Sequence, residues 1–315
     1  MRITPLAFLI LTACPPTSDD TNPGTETGET GSPDTLPAPA ELATLSSGVC
    51  PDLSASSTSS FLSSGSERTV TVVIPETPTE DMPVVFFFHG LLDTSVEPTS
   101  YHADALNLQS EANSQGAIFV LPQSRTMTEF GFTFYMWQVM DEDELDLVLY
   151  DDLRTCVAQE LTVDVRRFSA LGFSGGALFT TVLARERGDT LAAMVEMSGG
   201  SDIEFSIASD EPIAVYGPPA NTDIPALLFS GGDEDGWPSG FVMVDFQAAT
   251  DNLETHLVED AYYTWRCKHE QGHTITMSEW SLAKAWALGH SYGVESTYMG
   301  GSIDGYSDWC TEFAL

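Results

Sequence analysis

The chain predicts an α/β domain in which helices cover both faces of a mostly parallel central sheet, and three observations carry that expectation. Residues 83–88 and 117–121 are unbroken apolar runs, as strands buried on both faces require, whereas half-exposed strands alternate. Strand-like runs alternate with segments whose apolar residues recur at helical spacing, and that alternation implies parallel pairing through crossover helices. Residues 50–315 are the length of one such domain with a substantial core.

Each element follows from its residues. Residues 68–75, Arg-Thr-Val-Thr-Val-Val-Ile-Pro, alternate and are β-branched. The run 83–88 ends in His89-Gly90, and 117–121 is stopped by Pro122. From 142 to 161, Leu145, Val148, Leu149, Leu153, Val157 and Leu161 recur at helical spacing. A strand over 167–173 then leads into an apolar helix over 176–187. Further strands are expected at 192–197, 224–229 and 261–265, and further helices near 240–256 and 277–291. The site is expected in loops at the carboxyl ends of these strands.

Composition removes several function classes. With 47 Asp and Glu against 11 Lys and Arg, the formal net charge is −36, and no basic patch is expected for nucleic acid or an anionic lipid surface. Residues 1–13 carry one positive charge and a short apolar core, which reads as an export signal too short to span a membrane. Leu11-Thr12-Ala13-Cys14 is similar to the lipobox of bacterial lipoproteins. That resemblance implies cleavage before Cys14 and lipidation of its sulfur, so that the membrane would be met only through this anchor. Pro15, where an inner-membrane retention Asp would stand, points to the outer membrane or cell surface. Residues 14–49 are rich in Pro, Thr, Gly and acid, cannot bury enough apolar surface to fold, and are expected to be a disordered tether. Cys50, Cys156, Cys267 and Cys310 remain, an even number suited to an oxidising compartment. Because domain termini often lie close together, the preferred pairing is Cys50 with Cys310 and Cys156 with Cys267.

Gly172-Phe173-Ser174-Gly175-Gly176 fits G-x-S-x-G between a strand and a helix, which makes Ser174 the candidate nucleophile, its hydroxyl presented at a sharp turn. An acyl-transfer serine needs a base, an acid to orient the base, and donors for the oxyanion. Of the histidines after Ser174, His256 and His290 fall in helices. His273, in a loop after Gly272, is the preferred base, with His269 the alternative. The 224–229 strand runs into Asp233-Glu234-Asp235, where Asp235 is the preferred acid and Asp233 the alternative. The oxyanion donors are expected to be the backbone N–H groups of Gly175 and Leu91. Trp137 and Trp237 are candidate substrate-pocket residues, although tryptophans mainly bury area. Cys267, His269 and His273 lack an obvious fourth ligand, and no metal or organic cofactor is implied.

On these residues, residues 68–292 resemble the α/β-hydrolase superfamily, and within it the secreted esterases grouped with polyhydroxybutyrate depolymerases and feruloyl or acetylxylan esterases. The similarity lies in Phe88-His89-Gly90, Asp151-Asp152-Leu153, Asp164 to Arg167, the serine motif, Ser198-Gly199-Gly200 and Gly272-His273-Thr274. It implies a serine esterase acting through Ser174, Asp235 and His273 on an extracellular ester: a hydroxyalkanoate oligomer, a feruloyl or acetyl sugar ester, or a simple acyl ester. The alternatives are a catalytically silent surface-binding lipoprotein, or an acyltransferase or amidase using the same triad.

Overall fold

A computed structural model describes residues 36–129, 132–140, 143–204, 212–220, 224–237, 244–301, 303 and 308–313. Nine strands form one sheet: β1 (Ser57–Ser63), β2 (Ser66–Val73), β3 (Met82–Phe88), β4 (Ile118–Pro122), β5 (Val163–Phe173), β6 (Ala193–Met197), β7 (Ala226–Ser230), β8 (Thr264–Lys268) and β9 (Cys310–Phe313). Their spatial order is β1-β2-β4-β3-β5-β6-β7-β8-β9. The six strands from β4 to β8 in that order pair in parallel, and antiparallel partners close the two edges.

The parallel strands are apolar throughout because both of their faces are covered. Phe86 and Phe88 face one core with Tyr150, Leu153 and Phe179, while Val85 and Phe87 face a second with Trp280 and Trp286. Helices α3 (Leu145–Glu160), α4 (Gly175–Arg187) and α5 (Phe246–Glu259) supply the first core. Helices α1 (Pro98–Ala105), α2 (Leu108–Gln115) and α6 (Met277–Gly289) flank the second. A small antiparallel sheet joins Leu92–Asp93 to the hairpin Arg125–Glu129 and Phe132–Met136 beside the end of β3.

Two expectations are corrected. Residues 36–49, assigned by composition to the tether, are held on the domain mainly by hydrogen bonds, with Leu45 packed against the first core. The Ala40 N–H donates to Asp189 O at 2.8 Å, Arg154 donates to Ala40 O at 2.7 Å, and Ser46 donates to Asp152 through N–H and hydroxyl. Residues 36–49 therefore belong to the compact unit. The disulfides are Cys50–Cys156 and Cys267–Cys310. Cys267 and Cys310 are direct register partners on β8 and β9, and Cys156 on α3 lies in the core against which Cys50 packs. Strand pairing thus overrides the proximity of chain ends. Cys14 and residues 1–35 lie outside the described residues.

Candidate active site

The carboxyl ends of β3, β5, β6, β7 and β8 converge, and each contributes a loop. Ser174 sits between β5 and α4 at φ 56° and ψ −124°, a conformation that costs a non-glycine residue about 1–3 kcal/mol. The glycines of the motif exist to allow this turn. A Cβ on Gly172 would run into the Gly176 carbonyl, and one on Gly176 into the carbonyls of Phe88 and His89. Ser174 N–H donates to Met197 O at 2.9 Å, fixing the turn to β6. The serine is only 7 % exposed, with His273 on one side and the backbone at Gly90 close against its Cβ.

His273 lies between the nucleophile and a carboxylate. Its Nε2 is 2.9 Å from Ser174 Oγ, and its Nδ1 is 2.8 Å from Asp235 Oδ1. The rings of Phe246 and Phe173 stack on the imidazole at centroid separations of 4.4 and 5.0 Å. Gly272, at φ 71°, turns the loop, and its N–H donates to Gly231 O at 2.9 Å.

Asp235 is almost fully buried. Its Oδ2 accepts the Gly231 N–H at 2.6 Å and the Ser198 hydroxyl at 2.9 Å. Burial pushes this carboxyl up, but the hydrogen bonds from His273, Gly231 and Ser198 outweigh it and hold the group below the ordinary carboxylate value. Asp233, by contrast, leaves 90 % of its side chain in solvent and pairs with Lys268 at 3.3 Å. His269 is buried 3.3 Å from Glu279, the residue that completes the capping box of α6 with Thr276. Neither alternative faces Ser174; the structure brings together Ser174, His273 and Asp235.

Gly175 is the first residue of α4, so its N–H has no intrahelical partner, and the positive end of the helix dipole points at the serine. The Leu91 nitrogen approaches to 3.6 Å of where a Cβ on Gly175 would stand. The two expected oxyanion donors are therefore neighbours beside Ser174. Gly90 makes the approach feasible, since its own Cβ would stand 3.1 Å from Ser174 Cβ.

His89 braces this loop. Its Nε2 accepts the Ser124 N–H at 3.1 Å, which leaves Nδ1 to donate to Gly90 O at 2.6 Å. Burial without a carboxylate partner pulls its pKa down to about 3, so the ring stays neutral. Trp137 corrects an expectation. It is 1 % exposed, packs on Phe88 and Phe179, and donates its indole N–H to His89 O at 2.8 Å. It offers no surface to a ligand and supports the loop instead. Trp237, two residues after Asp235, is half-buried and keeps some exposed surface. Sequence reasoning missed Ser198 as a partner of Asp235, and it missed the two phenylalanines on His273. Phe173 was visible only as the variable position of the motif.

No family model and no curated protein matches the sequence. Solved structures do match. Native pOPH superposes with a TM-score of 0.64 at 16 % identity, over 89 % of this chain and 98 % of that one. A serine-to-alanine variant of pOPH in complex with pNPB gives 0.65 at 16 % identity, over 89 % and 97 %. A ferulic acid esterase gives 0.54 at 16 % identity, over 74 % of this chain and 95 % of that one. Identities this low speak for architecture alone. Strand order, crossover helices and these superpositions together make this chain an α/β-hydrolase fold.

Proposed function

We propose that the protein is a serine carboxylic ester hydrolase. The observation that carries this reading is the His273 imidazole, hydrogen-bonded at once to Ser174 Oγ and to the buried Asp235 carboxylate. In the acylation step Ser174 Oγ attacks the ester carbonyl and passes its proton to His273 Nε2. The carbonyl oxygen becomes an oxyanion between the N–H groups of Gly175 and Leu91, each donor worth about 3 kcal/mol in the transition state. His273 then protonates the departing alcohol. Water, deprotonated by the same imidazole, attacks the acyl-serine; as the acyl–Oγ bond breaks, the imidazolium returns its proton to Ser174 Oγ and the acid leaves. Asp235 keeps the Nδ1–H tautomer in place and stabilises the imidazolium without accepting its proton.

The substrate class is a soluble or surface-borne ester of the hydroxyalkanoate, feruloyl, acetyl sugar or simple acyl type. The ferulic acid esterase among the structural neighbours supports that range. The two disulfides support an exported protein. The anchor at Cys14 remains a proposal from sequence, and Cys14→Ser should move the protein from membrane to soluble fractions. A short-chain p-nitrophenyl ester tests the activity. Wild type should hydrolyse it, and Ser174→Ala should lose about a million-fold in the chemical step. An inactive wild type, or a variant within about tenfold of it, refutes the reading.

A further inference from the structure

Glu196 is a charged residue type in the middle of the apolar strand β6, and it is fully buried. In register it stands beside Gly172 of β5 and Leu228 of β7, directly below the serine turn, and α4 covers it. Oε1 lies 2.6 Å from Thr181 Oγ1, and Oε2 accepts the Gly200 N–H at 2.8 Å. Thr181 Oγ1 also lies 2.9 Å from Gly200 O. Among the described residues, the elements around it bring no neutralising cation. Gly172 and Leu228 carry no charge, α5 offers Thr250, and Arg185, one turn beyond Thr181, extends to Glu186 and the Val215 carbonyl.

A count of protons decides the state of this group. Thr181 has one hydroxyl proton and two acceptors, Glu196 Oε1 and Gly200 O. With an ionised Glu196, one of those acceptors goes unserved and a carboxylate charge sits unpaired in a dry site. One added proton on Oε1 closes the ring: Glu196 O–H donates to Thr181 Oγ, Thr181 O–H donates to Gly200 O, and Gly200 N–H donates to Glu196 Oε2.

We propose that Glu196 is a neutral carboxylic acid in the working protein and a positioning residue for the triad, locking the turn Ser198-Gly199-Gly200 that presents the Ser198 hydroxyl to Asp235. This role rests on the esterase reading, while the protonation state does not. The turn needs a lock. Ser198 sits at φ 52° and Gly200 at φ 123°, and a Cβ on Gly200 would run into the α5 backbone at Ala249. Burial, opposed only in part by the Thr181 and Gly200 hydrogen bonds, pushes the Glu196 pKa up to about 8. Ionisation above that value removes the Glu196 O–H donor and releases the turn.

A carboxyl whose folded pKa is raised stabilises the fold at low pH and loses that contribution between its unfolded value of about 4.3 and about 8. Glu196→Gln keeps the ring at every pH, because its NH2 donates to Thr181 and its carbonyl accepts from Gly200. The test compares wild type, Glu196→Gln and Glu196→Ala by thermal unfolding, infrared difference spectra and p-nitrophenyl ester hydrolysis between about pH 5 and about pH 10. Expected are equal melting temperatures for wild type and the Gln variant near the acid end, and a wild-type deficit that opens toward pH 8. A protonated-carboxyl C=O band should vanish on alkalinisation of wild type and be absent from the Gln variant. The wild type should lose activity above about pH 8, the Gln variant should not, and Glu196→Ala should lose up to about a hundredfold at neutral pH. A Gln variant less stable than wild type at all pH values, or no titrating carboxyl band, overturns the proposal. If the band titrates while the wild type hydrolyses no ester, the esterase reading fails and the neutral acid stands.

Discussion

Asp235→Asn is the substitution whose outcome the structure determines most sharply. Asp235 Oδ2 receives two donors, the Gly231 N–H and the Ser198 hydroxyl, and the first of these can only donate. An asparagine must therefore place its carbonyl oxygen there, which turns its NH2 group toward His273 Nδ1. Facing a donor, Nδ1 becomes an acceptor and the ring proton moves to Nε2, the atom that has to take the proton from Ser174 Oγ. The geometry survives and the tautomer is wrong. Such an inversion costs about 10⁴-fold in kcat, or about 5 kcal/mol of transition-state stabilisation at 1.36 kcal/mol per decade. Stability should change little, because every hydrogen-bonding position stays filled. Asp233→Asn is the matched control, since a side chain this exposed with one solvent-screened ion pair should shift the rate by less than about twofold. The assay is kcat/KM for a short-chain p-nitrophenyl ester on both purified variants, with circular dichroism and melting temperature alongside. A folded Asp235→Asn variant within about tenfold of wild type refutes the tautomer argument, and so does a hundredfold loss in Asp233→Asn.

Gly176→Ala should destabilise the protein by about 3 kcal/mol or more in urea unfolding, because the added methyl meets backbone carbonyls of β3 that cannot swing away. A loss under about 1 kcal/mol would mean that the elbow is not held against β3. Replacing Cys50 and Cys156 together by serine opens a cross-link over 106 residues and should cost about 4–5 kcal/mol by chain entropy. The Cys267 and Cys310 pair, 43 residues apart, should cost about 4 kcal/mol. Denaturant midpoints of the two double variants check these values, and an unchanged midpoint in either would show that its cross-link restrains nothing in the unfolded chain.

The parallel core of the fold was legible because buried parallel strands leave unbroken apolar runs, as in Val84 to Phe88 and Ile118 to Leu121. The edges were not. β1 is Ser-Thr-Ser-Ser-Phe-Leu-Ser, a half-exposed strand whose only apolar residues are Phe61 and Leu62, and it reads as loop. The two-residue strand Leu92–Asp93 is too short to leave a pattern, and the β-prone aromatic run of Phe132–Met136 went unassigned because it lies outside the alternation of strands and helices. In the candidate site, Ser174 and His273 were readable from chain order and flanking glycines. The acid was ambiguous by two positions because burial, which separates Asp235 from Asp233, is set by the turn from Gly231 to Asp235 and leaves no mark in composition. Disulfide partners depend on strand register, which put Cys267 opposite Cys310. Trp137 shows the same limit: an indole beside a site can face the ligand or the scaffold, and only packing decides. Glu196 did leave a signal, a lone acid inside the apolar run of β6, whose meaning appears only when its hydrogen-bond partners are counted.

Three crossover loops meet at one carboxylate: the turn after β6 through Ser198, the turn after β7 through the Gly231 N–H, and the loop after β8 through His273. An insertion or deletion in any of them displaces His273, the proposed proton acceptor, from Ser174, so these loops are the least free to change length. Among the described residues, the hairpin over residues 125–136 contributes no partner to Asp235; it meets the site along the Leu92–Asp93 strand and where the Tyr135 ring lies edge-on to His89. On the esterase reading, selection for a different ester would therefore find its latitude there, where residues can be added or exchanged without retuning the acid and base.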